Sequence, residues 1–181
     1  FGRDILLARS LGLSAESDIY FTAFRIPDTV YNLLILGTLS VALIPVFSQY
    51  YLKDKPRAYN IASTILNISS LGMLAVCLLI FFFATPLTKL IAPGFSIEQI
   101  HATADITRIM MLSPIIFTIS NVFSSVLISM KKFIIVNTAP LLYNLGIILG
   151  IVYLYPRYGI EGLAYGVIFG ALMHVGIQIP E

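Results

Sequence analysis

Long apolar stretches, punctuated by a few charged or turn-forming residues, dominate the chain. About 20 apolar residues cross a hydrocarbon core of about 30 Å. On that measure the sequence divides into six spans: a truncated first within 1–13, then 18–49, 59–86, 103–130, 133–155 and about 161–179. The second and third are longer than a bilayer requires, so tilt, kinks or protruding ends are expected. Pro27 and Pro45 in the second, Pro114 in the fourth and Pro140 in the fifth are expected kink sites. Between the third and fourth, Ile91-Ala92-Pro93-Gly94-Phe95 marks a turn, and Ser96 with Gln99 is placed to cap a short interfacial helix. The pattern predicts an all-α polytopic membrane bundle without a soluble domain.

The polar positions inside these spans are the informative ones. At about 100° per residue, Asp18, Thr22, Arg25, Thr29, Asn32 and Ser40 share roughly one quarter of the second helix. A charge at membrane depth costs about 2.5–3.5 kcal/mol, so this stripe is expected to face a water-filled cavity or another helix, which makes a transporter the first idea to test. Local readings stand beside it: Asp18 as a helix N-cap, and Arg25 paired with Asp28 three residues on. Arg3, Asp4 and Arg9 interrupt the first span; Arg3 is either a phosphate contact or locally paired with Asp4. Asp105 and Arg108, again three apart, open the fourth span. Thr118, Asn121, Ser125 and Ser129 there, and Asn60, Ser63, Asn67 and Ser70 in the third, read as helix-to-helix glue. Gly146 and Gly150, then Gly162, Gly166 and Gly170, recur every four residues and predict close backbone packing. That interval continues to His174 and Gln178; His174 is either a proton relay or simply hydrogen-bonded. Asn137 and Asn144 share a face that could reach the bundle interior.

Composition sharpens this picture. Of 181 residues, 58% are hydrophobic and 11% charged, against about 25% charged in an ordinary soluble domain. The net charge of +2 is scattered between apolar spans and points to no nucleic acid. The basic loops, with Lys53, Lys55 and Arg57 and with Lys131 and Lys132, are expected on the cytoplasmic side; segments 14–17, 87–102 and 156–160 are then outside. Cys77 is the sole cysteine, which rules out an intramolecular disulfide and a thiolate metal cage. With His101 and His174 alone, and no metal or phosphate-loop motif, neither an enzyme nor a metal or cofactor site is indicated. The opening at Phe1 and the close at Pro180-Glu181 suggest an N-terminal portion of a larger polytopic protein.

An ordered series of residues resembles the MurJ/MviN family: Phe1-Gly2-Arg3-Asp4, Gly12, Ser17-Asp18, Ala23-Phe24-Arg25-Ile26-Pro27, Gly37, Ser40, Pro45, Ala92-Pro93-Gly94-Phe95, Ala139-Pro140, Asn144, Gly159, Leu163-Ala164, Gln178 and Pro180. The resemblance implies a bacterial inner-membrane, multi-pass flippase of the multidrug/oligosaccharidyl-lipid/polysaccharide exporter superfamily. Its substrate would be lipid II, the polyprenyl-diphosphate-linked peptidoglycan precursor, moved by alternating access of two lobes around a cationic cavity. Residues 1–181 would be most of the N-terminal lobe, with membrane lipids and a missing C-terminal lobe as partners. Arg3 matches a cavity arginine used for the diphosphate, Asp4 the acid beside it, Asp18 an acid at the outer end of helix two, and Arg25 a basic position before the shared proline. Where the family has an arginine pair and then Glu-Gly in helix two, this chain reads Tyr31-Asn32 and Leu36-Gly37, so a cavity arginine and an acid are absent.

The expected site is therefore Arg3, Arg25 and Asn32 on the substrate, with Asp4 and Asp18 orienting arginines or forming gate contacts. Arg25 would supply the missing charge from nearly two turns away. The competing readings are an exporter of another lipid-linked oligosaccharide or of a drug cation, a membrane enzyme on polyprenyl phosphates, and a non-transporting cell-wall scaffold.

Overall fold

The computed structural model describes residues 2–12, 14–34 and 39–179, the side chains of 33–41 excepted. Its helices are α1 (Gly2–Leu11), α2 (Ala15–Leu34), α3 (Leu39–Lys53), α4 (Lys55–Ile91), α5 (Ile97–Met110), α6 (Leu112–Ser129), α7 (Phe133–Leu149), α8 (Tyr155–Tyr158) and α9 (Ile160–Gly176), with a π-helical turn at Gly150–Leu154 joining α7 to α8. No strand occurs among the described residues. Three continuous runs are long and apolar enough to cross a membrane: Lys55–Ile91, Ile97–Ser129 and Phe133–Tyr158.

Within the stretch 18–49 the described residues belong to α2 and α3, and residues 35–38 lie outside the described residues. Leu36-Gly37 and the side chain of Ser40 lie outside the described residues, as do Phe1 and Pro180. Asp18 is not the N-cap of α2. The helix starts three residues earlier, where Ser14 Oγ accepts from Ser17 N (3.3 Å). Asp18 sits in the first turn instead, where a carboxylate still favours the positive end of the helix dipole.

The Ser96–Gln99 capping box is present: Ser96 Oγ accepts from Gln99 N (3.2 Å), and Gln99 Oε1 accepts from Ser96 N (2.9 Å). The helix it opens is not short. Thr103, Ala104, Ile106, Thr107 and Met110 give α5 a continuous buried face, and Met111 keeps a helical backbone (φ −62°, ψ −12°) that carries it into α6.

Helix α4 runs 37 residues, roughly 55 Å at about 1.5 Å per residue. Its Ile68, Leu71, Leu79 and Phe82 are exposed, a face suited to acyl chains. On the opposite side of the bundle α9 packs most extensively on α7. An added Cβ on Gly146 would overlap the backbone of Gly170, and one on Gly162 that of Leu154; hence glycine recurs here. Gly159, with φ 58°, reverses the chain between α8 and α9, a conformation glycine adopts without a Cβ penalty. The core that results joins Leu7 and Leu11 of α1, Tyr20 and Ala23 of α2, Ile106 and Met110 of α5, and Leu163 and Val167 of α9. This core fixes α1 and α2 against the α7–α9 pair and leaves a gap between them.

Candidate functional site

That gap is a cavity of about 420 Å³ lined from five helices: Arg3 of α1; Phe24, Pro27, Asp28, Tyr31 and Asn32 of α2; Ser113, Pro114 and Phe117 of α6; Pro140 and Tyr143 of α7; and His174 of α9. Its wall is largely aromatic. Phe117 stands at its centre, with ring centroids 5.5 Å from Tyr31, 5.0 Å from Tyr143 and 5.3 Å from His174. The Tyr143 and His174 contacts are edge-to-face, the arrangement that ring quadrupoles favour.

Three of the expected kink prolines meet at this wall. A helical proline removes one N–H and frees the carbonyl four residues back. For Pro114 that carbonyl is on Met110, and Ser113 Oγ donates to it (2.8 Å).

The charges are few and locally held. Arg3 donates from Nε (3.0 Å) and Nη2 (2.8 Å) to Asp4 Oδ1. Asn32 Nδ2 donates to Asp28 Oδ2 (3.0 Å), and among the described residues no ion pair joins Arg25 to Asp28. Behind His174 lies a nearly sealed polar cluster. Ser120 Oγ is 2.7 Å from His174 Nδ1 and 2.8 Å from Gln178 Oε1, and Ser124 Oγ is 2.9 Å from the same oxygen.

Of the residues expected at a site, Arg3 and Asn32 line the cavity, and Asp4 is the exposed partner of Arg3. Arg25 and Asp18 do not line it; both are exposed. The cavity face of α2, centred on Phe24, Pro27, Asp28 and Tyr31, is turned roughly 130° from the polar stripe at about 100° per residue. Asn32 stands at the border between the two. Asn137 is exposed, and Asn144 donates to its own helix at Pro140 O (2.8 Å), so neither reaches the cavity. Elsewhere Asp105 pairs with Arg108, which also donates to Thr85 Oγ1 (3.1 Å) of α4. Ser113, Phe117 and Tyr143 are lining residues that sequence reasoning did not name, and Asp28 and Tyr31 entered it only as the partner of Arg25 and as a departure from the family. The signal that would have found them is the recurrence of mid-span prolines beside them.

Comparisons with known proteins agree with this arrangement. A family described as Lipid II flippase MurJ matches residues 7–181. The probable lipid II flippase MurJ of Buchnera aphidicola subsp. Acyrthosiphon pisum is 32% identical over 185 residues, covering 99% of this chain and 36% of that protein. Its counterpart in Borreliella burgdorferi is 30% identical over 162 residues, covering 90% and 32%. A solved structure of lipid II flippase MurJ in an inward closed conformation superposes with a TM-score of 0.78 at 27% identity, over 98% of this chain and 40% of that one. The chain thus spans about a third of the length of these relatives. On the family match across nearly its whole length, and on the same helical arrangement, the chain belongs to the lipid II flippase MurJ family.

Proposed function

We propose that residues 1–181 form the N-terminal lobe of a flippase that moves lipid II, or a similar polyprenyl-diphosphate-linked glycan, from the inner to the outer leaflet of a bacterial cytoplasmic membrane. The observation that carries this reading is a cavity bearing Arg3 among aromatic side chains, inside a lipid-facing helical bundle of this family. A guanidinium matches diphosphate oxygens bidentately. Asp4, which now takes two of its N–H donors, acts as the group that orients Arg3 and that an arriving anion displaces. Asn32 lines the path of the head group. Arg25 and Asp18 act from the exposed face of α2, where a second lobe would close over them. Transport then proceeds by rocking of the two lobes around the shared cavity, without covalent chemistry.

The test is to deplete a bacterial host of its own lipid II flippase, express the full chain that carries this sequence, and measure lipid II exposed on the outer leaflet. Restored exposure that disappears with Arg3→Ala establishes substrate and site together. Absence of exposure from a well-expressed, correctly inserted protein overturns the reading.

A further inference from the structure

We propose that His174 is the proton-binding residue of the cavity, taking up one proton as the cavity takes a diphosphate-bearing ligand. The ligand's chemistry rests on the flippase reading above; the proton site rests on three observations.

The first is the hydrogen-bond chain behind the ring. A carbonyl oxygen only accepts, so Ser120 and Ser124 both donate to Gln178 Oε1 (2.8 and 2.9 Å). Each hydroxyl carries a single proton. Ser120 therefore has none left for His174 Nδ1, 2.7 Å away, and it must accept from an Nδ1–H. A neutral ring with its proton on Nδ1 keeps a lone pair on Nε2. Nδ1 is committed to the buried cluster on α6, so Nε2 is the nitrogen left for the cavity that the ring lines.

The second is how firmly that chain is set. Gln178 and Ser120 are each 1% exposed. Gln178 Nε2 has no partner among the described residues. The Ser120–Gln178 pair is thus shielded from water.

The third is charge. The charged and titratable groups sharing the cavity with His174 are Arg3 of α1, Asp28 and Tyr31 of α2, and Tyr143 of α7; α6 presents Ser113 and Phe117. Helix α5 turns Asp105 and Arg108 toward α4 instead, and the π-helical turn packs at Gly162 and Gly166, about two turns or more from His174. Arg3 is already matched by Asp4, and Asp28 adds a second carboxylate. A diphosphate entering this lobe meets no surplus of positive charge. A proton on His174 Nε2 supplies one, together with a charge-assisted donor aimed into the cavity.

The experiment is calorimetric titration of the full chain, in detergent, with farnesyl diphosphate from pH 5.5 to 8.5, in pairs of buffers of different ionisation enthalpy. The expected result is uptake approaching one proton per ligand at the alkaline end, where affinity falls by up to about tenfold per pH unit. His174→Gln removes both effects, and Asp28→Asn keeps them. Ser120→Ala retains the ring and moves the midpoint, which assigns the proton even where His174→Gln does not fold. Binding with no proton uptake, or uptake that survives His174→Gln and vanishes with Asp28→Asn, overturns the proposal and leaves the flippase reading standing. No binding at any pH, together with no lipid II exposure in cells, overturns both.

Discussion

A single methyl group on Gly166 tests whether glycine sets how the bundle closes. The added Cβ would lie 2.7 Å from Gly150 Cα, where ordinary contact is 3.4–4 Å. The obstacle is backbone, so no rotamer change relieves it, and α7 and α9 must separate by about 1 Å. A gap of about 0.5–1 Å forfeits a quarter to a half of each dispersion contact across it. Here it opens between Ile147 and Ile151 on one side and Leu163 and Val167 on the other. Overpacked cores lose about 1–3 kcal/mol, and a rigid obstacle belongs in the upper half of that range. Alanine returns about 1 kcal/mol of helix propensity, leaving a net loss of about 1–2 kcal/mol. At roughly 2–4 °C per kcal/mol for a chain of this size, the apparent Tm falls by roughly 2–8 °C. Gly72→Ala is the control, because its Cβ meets nothing within 4 Å in the middle of α4. There the propensity gain of about 1 kcal/mol stands alone and the apparent Tm rises. The assay heats each detergent-solubilised variant and measures the monodisperse fraction by size exclusion. Gly166→Ala matching or exceeding the wild type would refute the claim that this contact is rigid.

Three further substitutions probe other levels of the structure. Ser96→Ala removes half of the capping box at the start of α5 and costs about 1 kcal/mol, so amide exchange over residues 97–100 speeds up about fivefold while exchange in α6 is unchanged. Arg3→Ala and Arg25→Ala separate the cavity from the exposed face of α2. Hydrogen bonds to charged groups contribute about 1.5–3 kcal/mol, so Arg3→Ala weakens farnesyl diphosphate binding tenfold or more. Arg25→Ala stays within about twofold, and a larger loss would place the ligand on the stripe instead.

What the sequence made legible is what is local. The capping box, the Asp105–Arg108 pair and the four-residue glycine interval all depend on spacing within one helix or its immediate neighbour, and periodicity reports them directly. The rotation of α2 is different. A polar stripe says which face dislikes lipid, but not which neighbour relieves it, and here the aromatic face bearing Phe24 and Tyr31 meets the cavity while Thr29 and Arg25 are exposed. The cluster behind His174 was hidden for the same reason. Ser120 lies 54 residues from His174 and 58 from Gln178, and two serines in an apolar span carry no local mark of such partners.

Charge is a partial guide to this site: it finds Arg3 in the cavity and misses the aromatic wall. Counting charged side chains in the second span leads to Arg25, which stands outside the cavity. Pro27, Pro114 and Pro140 belong to three different helices, yet all three line it. Each frees a carbonyl that lipid has no means to satisfy, and irregular backbone at membrane depth persists only where it is buried in protein or lines a cavity. The residue before Pro114 is a serine whose hydroxyl caps the freed carbonyl of Met110, so even the repair is written beside the lesion. Pro45 and Pro86 also lie inside helices and do not line the cavity; the three prolines that do line it meet across one gap. The side chains within one turn of them, Asp28, Tyr31, Phe117 and Tyr143, then name its wall.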